Sequence, residues 1–273
     1  MSTATAVRSA PPRRQTATSG LTFERAPRAT AQRIGLYGPG GIGKTTLAAA
    51  APGPMAFIDL DDSLGVLGLD VQRVVGVESW TALRKTLQAP GWDGIRTIVI
   101  DTATRAEELA MGWVIANVSH EKGYRIQGIE DYGWGKGFTH IYEAVLCLLG
   151  DLDAHVRAGR NVVIISHDCT ATVPNPMGED YIRYEPRLQN PASGKGSVRL
   201  RLKEWLDHLC FIGYDIDTDK GKASGTGTRS IYPIELPHCM AKSRTLDETI
   251  PFERGSAELW QRLFPTEYKL GEE

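Results

Sequence analysis

An α/β fold built on a mostly parallel central sheet with flanking helices and a C-terminal β-hairpin is predicted by three observations. From Arg33 onward, short apolar runs alternate with helical stretches, the pattern of strands joined by helical crossovers. A glycine-rich loop, Gly38-Pro39-Gly40-Gly41-Ile42-Gly43-Lys44-Thr45, falls between the first strand and the first helix. Near the C-terminus the texture changes to two β-rich runs around a Gly/Ser/Thr/Lys turn region. A chain of 273 residues accommodates one large α/β core and a tail.

Residues 1–31 are rich in Arg, Pro, Ser and Thr and carry one acid, Glu24. They have too little apolar surface to offset ordering entropy and are expected to be disordered. Their arginines (Arg8, Arg13, Arg14, Arg25, Arg28) suit either nucleic-acid contact or plain solvation. The folded domain is expected over 32–266, with 267–273 a second tail. Within it, strands are expected at 33–37 (RIGLY), 55–59 (MAFID), 72–76 (QRVVG), 97–101 (TIVID) and 161–166 (NVVIIS). Helices are expected near 44–51, 79–88, 104–117, 138–158 and 198–206. Residues 209–217 and 229–236 form the expected hairpin, and a short amphipathic helix near 256–264 follows. The stretch 168–197 has loop composition, and a loop of that length is usually functional or mobile.

Bulk properties restrict the function classes. The 41% hydrophobic and 23% charged fractions are ordinary for a soluble protein, and a net charge of −2 gives no global basic field. Any nucleic-acid partner must meet a local patch. The four cysteines show no C-x-x-C spacing, which argues against a zinc site or disulfide framework and suits a reducing cytosol. No apolar run approaches the roughly 20 residues that span a bilayer, and no apolar segment follows the N-terminal arginines as in a secretory signal. A cytoplasmic location and no membrane partner are expected.

The loop from Gly38 to Thr45 fits G-x-x-x-x-G-K-[ST] in its required strand–helix context. Glycines let successive backbone N–H groups point at phosphate oxygens, and the positive end of the next helix adds to the field. The expected ligand is ATP with Mg²⁺, held by Gly38, Pro39, Gly40, Gly41, Ile42, Gly43, Lys44, Thr45 and Thr46. Lys44 is expected on the β/γ-phosphates and the Thr45 hydroxyl on Mg²⁺. Asp101 ends the apolar strand TIVID at the carboxyl edge of the sheet, where open α/β sheets bind ligands; it is the expected second metal residue.

Several classes built on this loop are disfavoured. Pro39 stands where partition-type ATPases carry an extra lysine, Thr102 where AAA+ ATPases usually place Glu, and there is no base-reading N-K-x-D. The run AFIDLDDSL, on the first strand after the loop helix, supplies acids at Asp59, Asp61 and Asp62. Here the chain resembles the RecA-like ATPases, in which this strand ends in a carboxylate that orients the attacking water. The resemblance implies Asp61 as general base, with Asp59 and Asp62 as rivals. It continues through TIVIDT (97–102) and NVVIISHD (161–168), and implies His167 as a γ-phosphate-sensing residue where RecA has Gln.

The resemblance also implies DNA-binding loops. Arg183, Arg187, Lys195 and Arg199, interleaved with Tyr181 and Tyr184, combine cations for phosphates with rings for bases. Tyr132 and Trp134, in the loop 124–136, either stack on bases or pack under the next helix. Lys242 and Arg244 stand where RecA-like and DnaB-like ATPases project a K-x-[KR] pair into a neighbouring subunit's ATP, which implies a homo-oligomer with ATP at subunit interfaces. Over roughly residues 32–254 the chain is similar to small phage-encoded RecA-core ATPases of single-strand annealing and recombination. The implied activity is DNA-stimulated ATP hydrolysis coupled to single-stranded DNA binding and annealing, in the bacterial host cytoplasm, with a single-strand binding protein or other replication partner. A P-loop kinase, or a non-hydrolysing ATP switch that recruits a replication or packaging partner, are the alternatives.

Overall fold

The computed structural model describes residues 31–192, 195–219 and 222–269. The two tails expected at 1–31 and 267–273 lie outside these residues, apart from Ala31 and the stretch 267–269.

The strands are β1 (Arg33–Tyr37), β2 (Met55–Asp59), β3 (Gln72–Arg73), β4 (Thr97–Asp101), β5 (Asn161–Ser166), β6 (Asp168–Val173), β7 (Tyr181–Pro186), β8 (His208–Asp219), β9 (Lys222–Tyr232) and β10 (Ile250–Pro251). The helices are α1 (Lys44–Ala48), α2 (Leu64–Leu67), α3 (Trp80–Gln88), α4 (Ala103–Asn117), α5 (Lys136–Arg157), α6 (Val198–Trp205), α7 (Glu258–Leu263) and α8 (Pro265–Lys269). One sheet runs in the order β10-β9-β8-β1-β5-β4-β2-β3, and a separate hairpin pairs β6 with β7. The strands from β8 to β3 are parallel, while β9 and β10 add antiparallel at the β8 edge. This is the mostly parallel α/β architecture with a C-terminal hairpin that the sequence predicts.

Alternation along the strands makes two cores, because successive side chains point to opposite faces. Ile98, Ile100, Val162 and Ile164 face α3, α4, α5 and α6, packing with Leu83, Ala110, Ile141 and Leu202. Leu36, Val99, Val163 and Ile165 face the other way, toward Leu47 of α1 and Trp260 of α7. Trp260 is fully buried and donates its indole N–H to the Leu47 carbonyl at 2.7 Å, anchoring the back of α1. Helix starts follow local chemistry. Ser79, Thr102 and Ser197 each accept, through the side-chain oxygen, the N–H three residues on at 3.1 Å, satisfying an orphan donor of α3, α4 and α6.

Four expectations change. Helix α1 ends at Ala48, and residues 49–51 continue as i→i+3 and i→i+4 turns. Strand β3 has two residues rather than the five of 72–76. The stretch 168–197 contains the β6–β7 hairpin, whose six-residue strands flank an Asn-Pro-Met-Gly turn. In the C-terminal hairpin, the supposed turn region is itself strand, and β9 stops at Tyr232 because Pro233 has no N–H to continue the ladder.

Candidate active site

The parallel register brings the carboxyl ends of β1, β2, β4 and β5 level. Asp59 pairs with Asp101, Asp101 with Ile165, and Tyr37 with Ser166. Over this edge opens a cleft of about 640 Å³ lined by Gly40, Gly41, Gly43, Lys44, Thr45, Thr46, Asp61, Asp101, Thr102 and His167, among others.

The glycine-rich loop is shaped by contacts that only glycine permits. Gly38 has φ 153°, and a Cβ there would sit 2.1 Å from the Ile212 carbonyl oxygen of β8. Ile42 is buried in the core and pins the loop from below, while Gly40 and Gly41 are exposed to the cleft. Of the nine residues expected to hold nucleotide, Gly40, Gly41, Gly43, Lys44, Thr45 and Thr46 line the cleft; Gly38, Pro39 and Ile42 support the loop from outside that lining. Lys44 is buried and its Nζ donates to the carbonyls of Gly38 at 2.6 Å and Pro39 at 2.9 Å. Burial pulls its ammonium below the ordinary lysine value, opposed by the Asp168, Asp101 and Asp61 carboxylates.

The Thr45 hydroxyl donates to Asp101 Oδ2 at 2.8 Å, and Ser63 Oγ donates to the same oxygen at 3.2 Å. Asp101 is buried, and that desolvation pushes its carboxyl above the ordinary aspartate value; the Thr45 bond opposes the shift and the Asp59 and Asp61 charges add to it. A carboxylate and hydroxyls gathered at one point form a hard oxygen donor set, which fits Mg²⁺ in company with phosphate and water. Thr45 and Asp101 are the residues that would hold it.

Among the three acids of 59–62 the geometry discriminates. Asp59 accepts the backbone N–H of Ser63 at 3.0 Å and of Leu64 at 3.1 Å, so it caps the start of α2. Asp62 also lines the cleft, but it has φ 53°, is exposed, and lies 3.7 Å from Arg73, without a bond to the other strand ends among the described residues. Asp61 faces the cleft, accepts the Thr102 hydroxyl at 3.0 Å, and stands 3.3 Å from His167 Nε2. Thr102 thus serves twice, capping α4 and orienting Asp61. The strand end carrying His167 is fixed beneath: Ser166 Oγ lies 3.1 Å from Thr104 Oγ1, which also accepts the His167 N–H at 3.2 Å.

Ser63, Val66 and Leu67 of the α2 region line the cleft without a sequence signal, and so do two cations. Arg229 on β9 and Arg254 after β10 also line it, brought there by antiparallel pairing between residues about twenty positions apart. No motif marks either.

Four expected site residues are committed elsewhere. Tyr132 is buried and donates its hydroxyl to the carbonyls of Val114 at 2.9 Å and Val118 at 2.7 Å, so it packs beneath α5 and is not free to stack on bases. Arg199 is buried and bonded to Glu185 and the Leu188 carbonyl. Arg183 bonds Glu185 at 2.8 Å and Glu235 at 2.6 Å, largely covered. These two guanidiniums neutralise a buried carboxylate instead of presenting a basic surface. Lys242 Nζ donates to the carbonyls of Lys203, Glu204 and Leu206, capping the C-terminus of α6. Tyr184, one of the interleaved rings, stacks on Phe211 at 5.0 Å. Trp134 is fully exposed, Arg187 and Lys195 are exposed, and Arg244 is exposed beyond a 2.9 Å pair with Asp207.

Among the described residues, no helix is long and apolar enough to cross a membrane. In comparisons with known proteins, residues 30–245 match the family described as an AAA domain, although Thr102 stands in place of the glutamate that AAA+ ATPases usually carry after the strand-end aspartate. No curated protein matches the chain. Among solved structures, the chain is similar to a KaiC-like protein from the hyperthermophilic archaeon Pyrococcus horikoshii, at 14% identity and a TM-score of 0.39, over 81% of this chain and 85% of that one.

Proposed function

The chain belongs to the AAA domain family. We propose that it is a RecA-like P-loop ATPase that hydrolyses ATP with Mg²⁺ and couples the cycle to single-stranded DNA, in the manner of phage annealing and recombination ATPases. The observation that carries the hydrolytic part is the facing of two groups across one cleft. On one side stand Lys44 and the Thr45–Asp101 pair; on the other, Asp61 held between Thr102 and His167. A carboxylate fixed by a hydroxyl donor is placed to orient and deprotonate an attacking water, and His167 is placed to exchange a hydrogen bond between that carboxylate and a terminal phosphate. Asp101 and Thr45 would hold the metal, which when bound draws charge from the phosphate oxygens.

The coupling to DNA is supported by connectivity. His167 is followed directly by β6, and the Arg187 N–H after β7 donates back to the His167 carbonyl at 2.8 Å, so the β6–β7 hairpin is rooted on the sensing residue. Arg187, Lys195 and Trp134 supply the exposed cations and ring that single-strand binding uses. In a homo-oligomer, Arg244 is the member of its pair left to reach a neighbour's nucleotide.

Steady-state ATP turnover with and without single-stranded DNA, paired with gel shifts, tests this reading. Stimulation of turnover by DNA is expected. Absence of DNA binding with and without ATP contradicts the coupling, and ATP binding without turnover contradicts the hydrolytic part.

A further inference from the structure

Arg229 and Arg254 approach the phosphate loop from the edge opposite the acids. In the sheet, β9 and β10 lie beyond β8 on one side of β1, whereas β4 and β2, which carry Asp101 and lead to Asp61, lie on the other. Ile250 pairs with Ile231 and Pro251 with Ser230, and the Phe252 N–H donates to the Arg229 carbonyl at 2.8 Å. Both arginines therefore reach the cleft from this edge, but their side chains are used differently.

Arg229 is engaged with the loop itself. Its Nη1 donates to the Ile42 carbonyl at 2.9 Å, and its guanidinium lies 5.2 Å over the ring of Phe252, which is buried. Gly43, at φ 112°, packs on the same pair: a Cβ there would lie 3.2 Å from Phe252 and 3.6 Å from Arg229 Nη1. The loop and the β9–β10 edge are one packed unit. Arg254 follows two residues after Phe252, lines the cleft, is exposed, and has no hydrogen-bond or ion-pair partner among the described residues. A guanidinium offers donors in a planar fork that matches phosphate oxygens, and stays charged at any working pH.

We propose that Arg254 binds the phosphate chain of the nucleotide from within its own subunit, as a second cation beside Lys44 on the side of the cleft away from Asp101. This rests on the reading of the cleft as an ATP site. Because Arg254 sits on an edge packed to the phosphate loop of the same chain, its contribution does not depend on a neighbour.

The test is titration of Mg·ATP and Mg·GTP into the full chain and its Arg254→Gln, Arg254→Lys and Lys44→Ala variants, with turnover measured in parallel. Arg254→Gln is expected to weaken ATP and GTP by the same factor, roughly 10- to 100-fold for loss of one charge-assisted contact, with Arg254→Lys recovering part of it. Mixing Arg254→Gln with Lys44→Ala is expected to restore no turnover. Wild-type ATP affinity in Arg254→Gln while Lys44→Ala has lost binding overturns the role of Arg254 alone. A changed ATP-to-GTP preference places it on the base and overturns the phosphate assignment, and restored turnover on mixing overturns the same-subunit assignment. Unimpaired binding in Lys44→Ala removes the underlying reading of the cleft.

Discussion

Nε2 of His167 lies 3.3 Å from Oδ2 of Asp61, joining a residue at the end of β5 to a carboxylate 106 positions away in sequence. The same oxygen accepts the Thr102 hydroxyl, so Asp61 is held from two strand ends, whereas Asp59 and Asp62 are not. Asp61→Asn is therefore expected to cut ATP turnover by about 10²- to 10⁴-fold with little change in ATP affinity. Asp59→Ala should instead cost about 1–2 kcal/mol of stability through loss of its cap on α2. Asp62→Asn should leave both nearly unchanged. Turnover and thermal unfolding of the three variants check this, and an Asp61→Asn enzyme with wild-type turnover contradicts it.

Lys242 and Arg244 separate in the same way. The Lys242 ammonium is tied to three carbonyls at the end of α6, and burial lowers it from the ordinary lysine value. Lys242→Ala should lower the unfolding temperature, with turnover changed only as far as folding is. Arg244→Ala should reduce hydrolysis more than ATP binding, and mixing it with Lys44→Ala should partly restore activity if Arg244 reaches a neighbour. Failure of that rescue in mixed oligomers shown to form counts against the inter-subunit role.

Two aromatic residues two positions apart are expected to behave oppositely. Tyr132→Ala removes a buried ring and two hydroxyl bonds and should cost about 3–5 kcal/mol of stability. Trp134→Ala should leave unfolding unchanged and weaken single-stranded DNA binding by about 1–3 kcal/mol, if the exposed ring stacks on a base. DNA affinity equal to wild type in Trp134→Ala removes this residue from the interface.

Glu107 on α4 supplies a pH signature. Burial pushes its carboxyl from 4.5 up to about 7, against the opposing Gln189 N–H bond and the Arg199 charge. Between those values the folded chain binds more protons than the unfolded one, so this group makes stability fall as pH rises through the window. Glu107→Gln removes the titration. Its unfolding temperature relative to wild type should rise between pH 5 and pH 8, and a constant difference across that range contradicts the account.

What was legible in the sequence follows from the range of the interactions. The loop from Gly38 to Thr45 and the strands β1, β2, β4 and β5 are specified locally, by glycines, apolar runs and a terminal carboxylate, and the structure has them at the expected residues. Asp101 meets Thr45 because parallel strands in register level their carboxyl ends. The hairpin β6–β7 reads as loop because its six-residue strands carry no apolar run and pair with each other outside the main sheet. Arg183 and Arg199 read as a basic surface because sequence does not show that Glu185 is buried between them. Arg229 and Arg254 carry no local signature at all; only the pairing of β9 with β10 brings them to the loop.

On the proposed reading, Lys44, Thr45 and Asp101 hold Mg·ATP in the cleft at the carboxyl edge of the sheet. Titration calorimetry of ATP into the wild-type chain and Lys44→Ala, each with Mg²⁺ and with excess chelator, tests it most directly. Saturable binding by wild type that weakens without Mg²⁺ is expected, with binding lost in a Lys44→Ala variant that unfolds at the wild-type temperature. Equal affinity in the folded variant, or affinity indifferent to Mg²⁺, would contradict it.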